Sequence, residues 1–220
     1  MNRKALRDII EEGENFHVEF KLKFSSVEKI AKEMMAFANT KGGVLIFGVD
    51  DDGKVIGLES EKTESELIRQ AAKDYCEPPL EYIEEFINLD NRELVVITVP
   101  ESHLKPHRLQ DYEKEFDINK ALVYVRVNDK SVQASKEMIR VLKANTAGTA
   151  LKKYTIGDVE RTVFTYLEKN EYITVTQLTE LANISYRRAG RTLVKLIRAG
   201  LLMIHTQPNT EDRFSAIPPE

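Results

Sequence analysis

The chain has 220 residues, of which 42% are hydrophobic and 31% charged, enough apolar matter for a packed core and too much for wholesale disorder. Lys+Arg 32 against Asp+Glu 36 leaves a formal net charge of −4, which excludes a uniformly basic, histone-like nucleic-acid binder but not local basic patches. No apolar run approaches the ~18 residues of a membrane span, the first residues contain no apolar signal region, and the one cysteine, Cys76, forms neither an internal disulfide nor a Cys-rich zinc site; the expectation is a cytoplasmic protein with no membrane partner.

In chain order, residues 5–12 predict a short helix stopped by Gly13. Residues 16–24 alternate strictly, with Phe16, Val18, Phe20, Leu22 and Phe24 on one face and His17, Glu19, Lys21 and Lys23 on the other, which predicts a half-buried strand. Ser26 can cap a helix over 27–38, broken by Asn39-Thr40-Lys41-Gly42-Gly43. The apolar run 44–49 predicts a central strand, Asp50-Asp51-Asp52-Gly53 a turn, and 54–58 a returning strand. A capping box at Thr63 predicts a helix to about residue 75, ended by Pro78-Pro79. Strands are expected over 80–87, 93–99 and 121–127, and a helix over 135–144. The fold class expected is α+β, a mixed or antiparallel sheet with packed helices.

Charge is divided unevenly. Residues 151–220 carry ten Lys/Arg against eight Asp/Glu, whereas residues 1–150 carry 22 against 28. The stretch Asn145-Thr146-Ala147-Gly148-Thr149-Ala150 is small and uncharged, of linker type. The expected organisation is a first domain over 1–145, a linker over 146–154 and a smaller domain over 155–220.

Several groups of residues invite a chemical reading. Glu19 and Lys21 share one strand face, Glu14 lies just upstream, and Asp50, Asp51 and Asp52 end a buried strand. Carboxylates gathered from separate elements suit a hard divalent cation, and a nearby Lys suits a phosphate. The same pattern is that of solvated edge charges and ordinary turn chemistry, which is the commoner case. The turn Asn39, Thr40, Lys41, Gly42, Gly43 can present backbone N–H groups to an anion, or simply connect helix to strand. It lacks the Gly-Lys-Ser/Thr ending of a P-loop, so no ATP site is read from it. Lys105 and His107 place cationic groups in a loop, and Tyr124 and Arg126 share a strand face, where an aromatic beside an arginine can stack a base and grip a phosphate, or serve as a plain solvent face. The His103/His107 spacing falls in a Pro-containing loop and carries no zinc signature.

Glu14…His17-Val18-Glu19-Phe20-Lys21, then Ala36-Phe37-Ala38-Asn39-Thr40-Lys41-Gly42-Gly43, then Ile46-Phe47-Gly48-Val49-Asp50-Asp51-Asp52-Gly53 together resemble the AlbA-type domain of the Schlafen class over about residues 10–140. The resemblance implies a family generally described as DNA-binding, often joined in bacteria to helix-turn-helix modules. Some animal Schlafens are metal-dependent nucleases of structured RNA; by motif position the resemblance places their three acidic residues at Glu14, Glu19 and Asp51, with Mg2+ or Mn2+ as the metal and Lys21 on the phosphate. The 220 residues are expected to hold one copy of the domain, where those nucleases have a duplicated core.

Residues 155–217 run helix, helix, turn, helix, two strands, an order that resembles a winged helix-turn-helix domain. Helices are expected over 156–169, after a Thr176 cap to 181, and over 186–199, with strands over 172–175, 201–206 and 213–217. In the third helix Ala189, Leu193, Leu196 and Ile197 form the apolar stripe, while Arg187, Arg188, Arg191 and Lys195 lie off it with no acid between them and Tyr186 at the start. A recognition helix enters the major groove in this way. Three readings follow: a DNA-binding transcriptional regulator, expected as a homodimer on two half-sites; a metal-dependent endoribonuclease acting on RNA; and a protein-interaction adaptor.

Overall fold

A computed structural model describes residues 1–113, 115–146 and 155–217. The chain divides into two compact units, Met1–Gln133 and Ala134–Glu220.

The first unit contains, in order, α1 (Arg3–Glu12), β1 (Val18–Lys21), α2 (Val27–Asn39), β2 (Gly43–Phe47), α3 (Glu61–Lys73), β3 (Cys76–Glu77), β4 (Ile83–Leu89), β5 (Arg92–Val99), β6 (Arg108–Leu109), β7 (Tyr124–Val127) and β8 (Lys130–Gln133). The main sheet has the order β1-β2-β5-β4, with β1 parallel to β2 and the other neighbours antiparallel. Parallel neighbours need a crossover, and α2 supplies it. Short antiparallel pairs β3/β6 and β7/β8 complete this mixed α+β unit.

Both faces of the sheet are covered. Leu45, Phe47, Val95, Ile97 and Val99 face a cluster built with Ile30, Met34 and Phe37 of α2 and Ile68 of α3. Val18, Phe20, Ile46, Leu94 and Val96 face a second cluster with Leu6 and Ile10 of α1. This changes the reading of β1. The regular strand is four residues long, and its Glu19 face looks into the molecule rather than into water, because Glu19 pairs with Leu45 in the register and is 8% exposed.

Other departures have local causes. Residues 54–58 form a loop with a single bridge, Val55 to Val49, because Gly53 and Gly57 both turn at positive φ and the amides of Ile56 and Gly57 converge on Gly48 O. Ser60, not Thr63, caps α3. Cys76 is buried, and burial pushes its thiol up to about 12, in keeping with a small apolar residue.

The second unit contains α4 (Lys136–Thr146), α5 (Asp158–Leu167), α6 (Val175–Ala182), α7 (Tyr186–Arg198) and an antiparallel pair, β9 (Leu202–His205) and β10 (Arg213–Ala216). Its core joins Val163, Ile173, Leu178, Ala189, Leu193, Leu196, Leu202 and Phe214. In place of a strand over 172–175 there is one bridge, Ile173 to Phe214, since Thr174 caps α6 in a reciprocal pair with Gln177. The helix assigned from sequence to the end of the first domain, α4, groups with this unit. The reason is a close approach: a Cβ on Gly190 of α7 would lie 2.9 Å from Glu137 Oε1 of α4. Of the expected linker, Thr146 ends α4 and residues 147–154 lie outside the described residues. Among the described residues no helix is long and apolar enough to cross a membrane.

A methyl group at Gly43 would sit 2.2 Å from the buried Phe37 ring and 2.7 Å from His17 O. Gly43→Ala is therefore expected to destabilise the first unit by about 1–3 kcal/mol, measured by urea denaturation.

Candidate functional site

The charged residues of β1 resolve into a buried ionic network. Arg126 of β7 has a fully buried side chain. Its Nη1 donates to Glu19 Oε2 at 2.9 Å and to Glu33 Oε2 at 3.3 Å, and Nη2 donates to Asn15 O at 2.9 Å. The guanidinium also lies 4.7 Å from the Phe37 ring centroid. Ser131 donates to Glu33, and Lys21 pairs with the other oxygen of Glu19. Glu33 and Ser131 were not visible as members from sequence; the one signal was a charged residue inside the Val123–Val127 alternation, which reads equally as a solvent face.

The carboxylates singled out at Glu14, Glu19 and Asp51 lie close enough to influence one another. Burial lifts the Glu14 carboxyl above its ordinary range, its bond from Phe20 N at 2.7 Å opposes this, and the charges of Glu19 and Asp51 add to the lift while Lys21 offsets it. They do not make a metal cage. Both oxygens of Glu19 are engaged by cations, and among the described residues no three His, Cys, Asp or Glu side chains are grouped to hold an ion. The arrangement does not fit the divalent metal that the family resemblance implies. Asp50 does turn work, its Oδ1 accepting from Asp52 N at 3.1 Å and Lys54 N at 2.8 Å.

The Asn39–Gly43 turn is similarly committed. The amides of Thr40 and Gly42 both close on Phe37 O, and Gly42 takes a φ of +74° to do so. Asn39 is buried and clamps three strand and loop groups: it donates to His107 O at 2.9 Å and Tyr124 O at 3.0 Å and accepts from His107 N at 2.8 Å. Thr40 Oγ1 accepts from Arg126 N at 2.9 Å. Lys41 pairs with Glu101 at 3.5 Å, and Lys105 bonds Thr40 O at 2.8 Å and Glu101 at 2.6 Å. His107, expected on a nucleic-acid surface, is 2% exposed with its ring nitrogens on Pro78 O and Ser102 Oγ, and burial pushes its pKa down. Tyr124 is half-buried beneath Lys32, 5.4 Å from its ring centroid. Buried, partnered groups of this kind hold a fold together; they are not open to a nucleic acid, which corrects the expectation for His107 and Arg126.

In the second unit α7 keeps its cations in water. Ser185 caps it, accepting from Arg188 N at 3.3 Å. Ala189, Leu193 and Leu196 are fully buried, while Arg187, Arg188, Arg191 and Lys195 are exposed, and among the described residues none of the four is in an ion pair. Tyr186 turns toward the β-hairpin, where its hydroxyl donates to Glu211 Oε1 at 3.4 Å; burial, then the charges of Glu137 and Glu211, push its pKa up to about 12. Asp212 is buried and accepts from Ser135, so it does not oppose a phosphate, and Arg213 stacks 4.1 Å from the Tyr172 centroid.

Two outcomes are expected in the first unit. Arg126→Met leaves Glu19 and Glu33 buried without their shared cation and costs about 3–5 kcal/mol, read by accelerated hydrogen exchange of β1 and β2 amides. Burial, then the charge of Glu19, lifts Glu33 above its ordinary 4.5, so the ionised form costs stability once pH rises through the folded value. Glu33→Gln is neutral throughout; it should melt higher than the parent near pH 7 and lose that advantage as pH falls below 4.5.

Comparison with known proteins adds the family. The solved structures similar to this chain include the DIP2311 protein from Corynebacterium diphtheriae, 17% identical, with a TM-score of 0.46 over 91% of this chain and 34% of that one. Another is the N-terminal domain of a RecG-related protein from Nitrosomonas europaea, 23% identical, with a TM-score of 0.41 over 58% of this chain and 89% of that one. The chain thus spans about a third of the length of the first of these. The Schlafen, AlbA_2 family model matches residues 14–135, more than half of the chain, and covers the β1 network, the α2 turn and the β7/β8 pair: this protein belongs to the Schlafen AlbA_2 family.

Proposed function

We propose that the protein is a nucleic-acid-binding protein, and specifically a DNA-binding transcriptional regulator whose second unit works as a winged helix. The observation that carries this reading is α7: four exposed cations, unpaired among the described residues, ride above a fully buried apolar stripe, in a chain whose net charge is −4. In the first unit, by contrast, cations such as Lys21, Lys32, Lys105, Arg108 and Arg126 are each paired with an acid. Cations held in water without acids are what a phosphate backbone and guanine edges select. Membership of the Schlafen AlbA_2 family supports the broader nucleic-acid role. In this reading the first unit binds nucleic acid or an effector. Two copies related by a two-fold axis would place two α7 helices on successive half-sites, and light scattering of the protein on DNA should give two chains per duplex.

Anisotropy titration with duplex DNA and with structured RNA, across a salt series containing Mg2+, tests the reading. Binding to duplex should fall steeply with salt, and Arg187→Ala and Arg191→Ala should each cost roughly 1–3 kcal/mol of affinity. DNA and RNA recovered from the mixture should be full length. Shortened RNA protected by EDTA would instead favour a nuclease, and absence of salt-sensitive binding to either would favour an adaptor.

A further inference from the structure

Arg191 and Lys195 stand on a ridge of α7 between two clefts of about 500 Å³ each. The walls opposite the ridge differ in sign. One is the start of α5, with Asp158 and Glu160. Asp158 is fully exposed there in a loose 3.9 Å pair with Arg161, and Gly157 N is already committed to Glu160 Oε2 at 3.0 Å, so this helix start presents two acids and no free Gly157 amide to a phosphate. The other wall is α4, with Arg140 and Lys143; Arg198 of α7 closes that cleft, and no carboxylate is among its described lining residues.

The α4 wall is held firmly in place. Ser135 caps α4 through Met138 N at 3.0 Å and donates to Asp212 at the start of β10. Glu137 packs against Gly190 and holds Arg140 Nη1 at 2.6 Å, leaving the remaining guanidinium donors uncommitted by that pair. Cations fixed before a ligand arrives lose little freedom on binding it.

We propose that α4 is part of the nucleic-acid interface: a phosphate strand flanking the groove occupied by α7 runs along the α4 side, contacted by Arg140 and Lys143 together with Arg191 and Lys195. The partner is a polynucleotide backbone, read without regard to base. The inference rests on the reading that α7 contacts nucleic acid. It also fixes a side for the backbone, since the α5 wall carries the opposite charge.

The test is anisotropy binding of the full chain to one duplex and to a sequence-scrambled duplex between 50 and 200 mM salt. Removing two phosphate contacts in Arg140→Gln/Lys143→Gln should lower the salt slope by about 2 and make the loss of affinity over that range about tenfold smaller, equally for both duplexes. Because Arg140 also bonds Glu137, Ala144→Glu provides a second variant that leaves both cations present and puts an acid into the cleft; it should weaken both duplexes at low salt with an unchanged melting temperature. Asp158→Asn, on the other wall, should bind as tightly as the parent or tighter. A parental slope in Arg140→Gln/Lys143→Gln together with parental low-salt affinity in Ala144→Glu, with binding still lost in Arg187→Ala/Arg191→Ala, would overturn this inference and leave the α7 reading standing. A parent chain that binds neither duplex would overturn both.

Discussion

A guanidinium with no exposed surface has to be met by counter-charge where it lies, and Arg126 gathers its partners from three stretches of chain: Asn15 and Glu19, Glu33, and Ser131. Burying such a group is costly; here the charge and both terminal nitrogens are answered, while among the described residues the buried Nε has no hydrogen-bond partner. The edge strand β1, the crossover helix α2 and the β7/β8 pair are thereby tied to one point. Phe37 closes the arrangement from the apolar side, and the same ring leaves no room for a side chain at Gly43. One cation therefore determines how the sheet edge, the helix and the following turn meet.

The same constraint decides what the acidic residues can do. A carboxylate held between Lys21 and Arg126 already has a cation on each oxygen, so a metal there would compete with both. The two units thus contrast in how they handle charge. The first turns its most distinctive ionic residues inward and pairs them with opposite charge. The second puts acids such as Asp212 and Glu137 into its interior and leaves the cations of α7 in solvent.

Much of the fold was legible in the chain. The apolar run of β2, the Ser26 cap of α2 and the Ser185 cap of α7 are local signals, and each element formed where periodicity and capping agreed. The family, too, was legible in the strings around Glu19, Asn39 and Asp51. What was not legible was long-range. Alternation in β1 and β7 distinguishes two faces but does not say that both are covered, so Glu19 and Arg126 read as surface residues, as His107 did from its place in a loop. Their partners lie dozens of residues away on other elements. The placement of α4 failed for a related reason: Gly190 in the middle of a helix is a sign of close approach, but the sequence does not name the neighbour.

Asn39 gives that separation a temporal meaning. Its side chain meets groups 68 and 85 residues further along the chain. At a synthesis rate of about 5–20 residues per second, roughly 4–17 s pass between the appearance of Asn39 and that of Tyr124. Until His107 arrives the Asn39 side chain lacks both of these partners, and the Tyr124 contact comes last. The main sheet, complete in sequence by Val99, thus precedes the β7 segment that closes the Asn39 clamp and brings Arg126 to Glu19.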